Sequence, residues 1–401
     1  MRILGMISGT SHDGIDVAIA DFTRDAGRLT GKIEYSVTVP YTPRLRSRLI
    51  AALPPAAVGF DVACELDTEI GQAFAAAAAT ALDAHASLPD VGPVDAICSH
   101  GQTVFHWVEG RAVHGTLQIG QPAWIAERTG IAVISDVRAA DIAAGGQGAP
   151  LVPVLDQLLL GPYVTAGRRS GALNLGGIAN VTVCAPDTDP IAWDIGPANA
   201  LIDAVVTASP DSDDTFDRNG ELAAAGAVVQ DLLKELASEP YYALSAPKST
   251  GKELFHLEYL RDALRRTALE PSLPDLVATL TELTAVTVAD AIRAAELEVL
   301  VASGGGVHNT TLMRRIGELV PGVRVLTSDK AGVSSDAKEA VAFALIGWAT
   351  LHGLPGNVPS CTGASGPRVL GRITPAPGRP LPTVESLSEW PDSLTFAETA
   401  R

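Results

Sequence analysis

The chain opens on a short apolar run, Arg2–Ile7, followed by a polar, glycine-bounded stretch, Ser8–Gly14. Apolar positions then alternate with small or polar ones over Ile15–Phe22. That pattern predicts strand, glycine-rich turn, strand. Ile33–Val39 predicts a third strand, and Pro43–Ala52 and Asp61–His85 predict helices. Val94–Ser99 is an apolar run ending in His100-Gly101-Gln102-Thr103, which reads as a buried strand stopping at a functional loop. Ile131–Ser135 predicts another strand, ending at Asp136, and Asp141–Pro150 is glycine-rich and fits neither period.

Near the middle the opening pattern returns. Gly171–Leu175 is apolar, Gly176-Gly177-Ile178-Ala179-Asn180 is a glycine turn, and Val181–Cys184 is apolar again. The run Ile191–Trp193 ends at Asp194, and helices are expected around Glu221–Glu235 and Thr279–Ala295. Val299–Ala302 then leads through Ser303-Gly304-Gly305-Gly306 into a helical Thr310–Leu319, and a Pro- and Gly-rich tail follows Pro355, its last twenty residues wrapping or fraying. Strands alternating with helices imply α/β layers, here mixed sheets flanked by helices because each hairpin opening adds antiparallel strands. The repeated strand–turn–strand, half a chain apart, suggests two related lobes, 1–145 and 146–401.

Composition narrows the function class. A chain of 401 residues exceeds what one core usually supports, and 47% hydrophobic with 19% charged residues is globular. A net charge of -17 repels polyphosphate backbones and anionic bilayers, so neither a nucleic acid nor a membrane is the expected partner. A pocket of backbone N–H groups still binds a small phosphate whatever the global charge. Cys64, Cys98, Cys184 and Cys361 are scattered and read as buried small apolar residues in a reducing compartment. There is no basic leader and no run of about 18 apolar residues, the Ala-rich stretch Gln72–Ala86 being framed by acids as a surface-packed helix, so a cytoplasmic location is expected.

Four features could carry chemistry. The turn Gly9-Thr10-Ser11-His12-Asp13-Gly14 would expose several N–H groups and two hydroxyls in one direction, a phosphate cradle; the Asp13 carboxylate could hold a sugar hydroxyl or a magnesium water. A plain hairpin turn uses the same residue types. The turn at Gly176, Gly177 and Asn180 follows the same logic, and a triphosphate needs donors from two sides. Gly304, Gly305 and Gly306, between a strand and a helix, either let backbone approach an adenosine or phosphate or simply make a tight crossover, and no phosphate-loop Lys follows them. Asp194 ends a strand, where it could act as general base or cap the helix expected over Ala198–Val206. His100, His106 and His114 have no metal-site spacing, and no serine-hydrolase elbow is present.

Read together, ten segments in order resemble the anhydro-N-acetylmuramic acid kinase family. They are GMISGTSHDGID (5–16), SHGQT (99–103), ADIAAGGQGAPLVP (140–153), NLGGIAN (174–180), WDIGPAN (193–199), KSTGKELF (248–255), ATLTELTA (278–285), SGGGVHN (303–309), KEAVAFA (338–344) and GLPGNVPSCTGA (353–364). The resemblance implies the two-lobed actin-like, ribonuclease H-like ATPase fold closing on ATP with its Mg2+. It implies conversion of 1,6-anhydro-N-acetylmuramic acid, ATP and water to N-acetylmuramic acid 6-phosphate and ADP, in recycling of cell-wall amino sugars. Carried over by residue, Gly9, Thr10, Ser11, His12, Asp13, Gly14, Ile15 and Asp16 form the nucleotide-phosphate turn, and Gly304–Gly306 lie at the adenosine side. Asp194 becomes the catalytic base, and Asp13, Gln102 and Glu339 become sugar contacts. His12, Ile195 and Ala198 depart from the usual family pattern; a methyl at Ala198 is excluded only if that position needs positive φ. Two alternatives stay open, a kinase of another sugar and a non-catalytic nucleotide-dependent sensor of cell-wall fragments. Oligomeric state is open as well, a homodimer included.

Overall fold

A computed structural model of the chain describes residues 1–9, 11–25, 27–110, 112–210, 214–251 and 253–397. Thr10, expected in the first phosphate turn, lies outside the described residues. The chain forms two compact units, the first holding 1–161, 331–333 and 337–401 and the second 162–330 and 334–336.

In the first unit, β1 (Arg2–Ser8) pairs antiparallel with β2 (Gly14–Asp25), which pairs antiparallel with β3 (Arg28–Pro40). On its other side β1 runs parallel to β4 (Ala96–Glu109), which continues antiparallel into β5 (Ala112–Ile119) and runs parallel to β6 (Val133–Ser135). Alternation along β1 sends Leu4 and Met6 to one face, where they meet Ile70, Phe74 and Ala78 of the helix Phe60–Ala86. Gly5 faces the other way, and a Cβ on it would lie 1.9 Å from the Ala340 carbonyl oxygen. The helix Lys338–His352 therefore lies against bare strand backbone there, and only glycine fits at position 5.

The second unit repeats the plan. β7 (Ser170–Leu175), β8 (Ile178–Cys184) and β9 (Ile191–Pro197) form an antiparallel meander. β10 (Val299–Ser303) runs parallel to β7, and β11 (Arg324–Thr327) runs parallel to β10. Leu173, Leu175, Val181 and Ile195 pack on Ala285, Val288 and Ile292 of the helix Leu273–Ala294. With the β5 hairpin set aside, the orders β3-β2-β1-β4-β6 and β9-β8-β7-β10-β11 match, with the same directions, which is the ribonuclease H-like order of the actin-like fold. After the second unit, β12 (Arg372–Thr374) pairs with β6 and β13 (Ser393–Phe396) with β3, both in the first sheet.

Several sequence expectations are altered here. The division falls at 161/162, not near 145, and the tail belongs with the first unit, not the second. The reason is burial: helices from the first 145 residues cover one face of the first sheet, and Lys338–His352 covers the other. β4 does not stop at His100–Thr103 but runs on to Glu109 and turns back as β5. The helix expected over Glu221–Glu235 is two, Glu221–Ala225 and Gln230–Ala237, broken at Gly226, where a Cβ would lie 2.1 Å from the Pro274 carbonyl oxygen. Cys98, Cys184 and Cys361 are buried, but Cys64 is exposed, on the face of its helix away from Leu66 and Ile70. Among the described residues, no helix is long and apolar enough to cross a membrane.

Candidate functional site

In the first unit the described residues of the turn between β1 and β2 are held both from within and from outside. Among them, His12 N–H donates to the Gly9 oxygen, 3.3 Å. Tyr41 N–H donates to the Asp13 oxygen (2.9 Å) and Arg46 Nε to the His12 oxygen (3.0 Å). Ser11 Oγ donates to the Asp13 carboxylate (2.6 Å). His12 has φ 54°, a left-handed backbone that suits Gly or Asn better than His. Asp16 points from β2 and accepts from Thr38 Oγ (2.6 Å) on β3. Ile15 is core, 1% exposed.

Gln102 and His100 leave β4 in different company because the strand bulges between them. Met6 pairs with Ser99 but Ser8 pairs with Gln102, so β4 carries one extra residue there, and Gly101 between them takes φ 75°. Gln102 reaches the turn: Ser8 Oγ lies 2.6 Å from its Oε1. His100 instead packs at a tilt against Phe343 and accepts from Arg138 Nε (2.7 Å), while its Nδ1 donates to the Gly101 oxygen (3.0 Å). An acceptor nitrogen facing a guanidinium requires neutral imidazole, and burial first, the Arg138 charge second, hold the His100 pKa well down. Burial lowers Arg138 itself to about 10, against the charges of Glu339 and Asp141. Burial and then the Asp16 charge push the Glu339 carboxyl up, while Arg138 and Lys338 pull it down. Asp16 and Arg138 therefore both act on the Glu339 carboxyl, and Arg138 was not foreseen. Only its place two residues after Asp136, at the end of a strand, hinted at it.

The glycine stretch before Pro150 is organised by a buried carboxylate. Asp141 accepts from Gly148 N–H (2.7 Å), Asn357 Nδ2 (2.6 Å) and Thr362 Oγ (2.7 Å), which joins the 140–153 and 353–364 segments.

In the second unit, register decides which side chains converge. Ser303 pairs with Asn174, Asn174 with Asn180 and Asn180 with Asp194, a row across four strands. Directly opposed residues share a face. Since Leu173, Leu175 and Ile195 face the core, Asn174 and Asp194 face away from it. Asn174 was missed as an individual residue, although the NLGGIAN segment contained it. Gly304 (φ 84°) and Gly306 are seated on the end of β7: a Cβ on Gly304 would lie 2.5 Å from Asn174 Oδ1, and one on Gly306 2.6 Å from the Leu175 Cβ. Gly305 has only the Asn199 amide near, at 3.9 Å. The carbonyls of Gly176 and Gly177 accept from the N–H groups of Asn199, Ala198 and Ala200, which start the helix Asn199–Ala208. These glycines thus have a structural task whatever else they hold.

Asp194 is not that helix's cap, which is Ala198 with no side-chain bond. Its Oδ2 accepts from Thr250 N–H (3.0 Å), its backbone N–H donates to the Lys248 oxygen (2.9 Å), and Tyr241 Oη donates to its carbonyl (2.7 Å). Burial first pushes its carboxyl up to about 6; the Thr250 N–H opposes this and the Glu253 charge adds to it. A carboxyl near 6 is ionised at neutral pH yet basic enough to take a proton. Ala198 has φ -119°, so its methyl is accommodated, and Ile195, 4% exposed, fills core.

The family model for anhydro-N-acetylmuramic acid kinase matches residues 1–376. The chain belongs to the anhydro-N-acetylmuramic acid kinase family. Among relatives bearing that name, one from Rhodococcus erythropolis is 52% identical, covering 98% of this chain and 99% of the relative. One from Streptomyces coelicolor is 50% identical, covering 98% of each. One from Xanthomonas oryzae is 42% identical, covering 93% of this chain and 97% of its own. A solved ROK family glucokinase from Streptomyces griseus aligns over 86% of this chain and 98% of its own at 14% identity, with a TM-score of 0.34, too loose to bear on the site.

Proposed function

We propose that this member of the family is an ATP-dependent kinase that opens 1,6-anhydro-N-acetylmuramic acid with water and phosphorylates its 6-oxygen, in cytoplasmic recycling of cell-wall amino sugars. Asp194 takes a proton from water as the water oxygen bonds to the anomeric carbon. The bond from that carbon to the 6-oxygen breaks, the freed 6-oxygen bonds to the γ-phosphorus, and ADP leaves. The observation that carries the base assignment is a carboxyl within β9, not at its end as expected, facing off the core and pushed up to about 6, with one backbone N–H fixing its direction.

The turn from Gly9 to Asp16 would hold nucleotide phosphates, Gly176, Gly177 and Asn180 would add donors, and Gly304–Gly306 would approach the adenosine. Asp13 and Glu339 would meet the sugar. Among the described residues no cluster of three or more metal-ligating side chains occurs. Mg2+ would arrive on ATP, with Asp13 or Asp16 the residues that would hold its water, and would neutralise phosphate charge. The test is ADP release with and without the anhydro sugar. Release that depends on the sugar supports the reading, and equal release without it refutes the substrate. A Gly9→Ala variant tests the turn: beyond its chain neighbours the added methyl meets no atom of the described residues within 4 Å, so a raised KM for ATP at unchanged stability reports the ligand.

A further inference from the structure

We propose that Gln102, working with Ser8, is a positioning residue that sets the shape of the Gly9–Gly14 turn and does not touch the sugar. This rests on reading that turn as the phosphate site. Gln102 is 1% exposed and Ser8 2%. Gln102 Nε2 donates to the oxygens of Gly9 (3.4 Å) and Thr103 (3.1 Å), while Oε1 faces Ser8 Oγ. In this orientation Oε1 and the Gly14 oxygen share the single Ser8 hydroxyl proton, whereas the flipped form would set Oε1 against two carbonyls. With both amide protons engaged and the group sealed from solvent, nothing is left to offer a sugar hydroxyl.

Ser8 Oγ also lies 2.7 Å from the Gly14 oxygen. The pair therefore grips the turn at both ends, Gly9 through Gln102 and Gly14 through Ser8. Such grip matters because a phosphate cradle works only if its N–H groups already point at the anion. In a planar peptide the N–H points opposite its C=O, so the Arg46 bond to the His12 oxygen fixes the Asp13 N–H on the side away from Arg46. Gln102 and Ser8 supply the same restraint where the turn begins and ends. The bulge at Gly101 is what delivers Gln102 there, and a Cβ on Gly101 would lie 2.6 Å from the Ile119 oxygen.

The experiment uses the full chain with Gln102→Leu, Gln102→Glu and Gly9→Ala, reading KM for ATP and for the sugar separately, together with amide hydrogen exchange over residues 9–16. Gln102→Leu should raise KM for ATP about tenfold, leave KM for the sugar within about twofold, and speed exchange in the turn about tenfold. Gln102→Glu should be the poorer variant at pH 8 and recover relative to wild type as pH falls, because a protonated carboxyl donates where the amide did. If Gln102→Leu does not fold, Ser8→Ala, which loses only a hydroxyl, is read in the same way. A raised KM for the sugar with unchanged turn exchange would overturn the proposal. Faster exchange with KM for ATP unmoved, in both Gln102→Leu and Gly9→Ala, would keep the clamp but remove the phosphate reading.

Discussion

Replacing Asp194 with Asn should make the protein more stable and nearly inactive, and the pH dependence of the gain is what identifies the cause. In the fold the carboxyl titrates at about 6, against an ordinary value of 3.8. At about 1.4 kcal/mol per tenfold, ionising it in the native state costs about 3 kcal/mol more than in the unfolded chain. Asp194 is partly exposed, and screening lowers the figure to about 1–3 kcal/mol. Below pH 3.8 both states hold the proton and no penalty exists. Between 3.8 and about 6 the unfolded chain releases the proton while the fold keeps it, so wild-type stability falls as pH rises, and above 6 the penalty is constant. Asn cannot ionise, and its Oδ1 still accepts from the Thr250 N–H. Urea unfolding at pH 4.5, 6 and 7.5 should therefore show an advantage for Asp194→Asn that grows across the series, while ADP release falls about 10²–10⁴-fold. A variant less stable than wild type at pH 7.5, or an advantage independent of pH, would refute the reasoning.

Wild-type kcat should drop about tenfold per pH unit below about 6, as Asp194 gains its proton, which a pH–rate profile checks. Lys338 and Asp156 form a buried ion pair at 2.7 Å inside the first unit. Lys338→Met should cost about 3–5 kcal/mol by denaturant titration, and adding Asp156→Leu should recover most of it. Gly5→Ala should cost about 3 kcal/mol or more, or abolish soluble expression, because its Cβ would collide with the Ala340 carbonyl.

What was legible in the sequence was local. Apolar runs and, over Ile15–Phe22, alternation, each interrupted at glycines, located β1, β2, β7 and β8, since a strand buried on both faces is apolar throughout. The helix Pro43–Ala52 was read to its ends, with Thr42 capping and Pro at its start. Gly5, by contrast, looked like one small residue in an apolar run, and its need for glycine comes from a helix more than 330 positions later. The two rival roles of Asp194 could not be separated without knowing that Thr250 supplies its hydrogen bond and that Ala198 starts the helix.

The sequence by itself determined the strand pairs around the glycine turns, those turns and the family, because these depend on neighbours along the chain. Tertiary structure alone decided that 337–401 completes the first unit, that a bulge separates Gln102 from His100, and that Arg138 and Asp16 both act on Glu339. Each of those depends on which distant backbone covers a face or supplies a donor. Asp141, for instance, takes donors from Asn357 and Thr362, and no local pattern encodes partners that far along the chain.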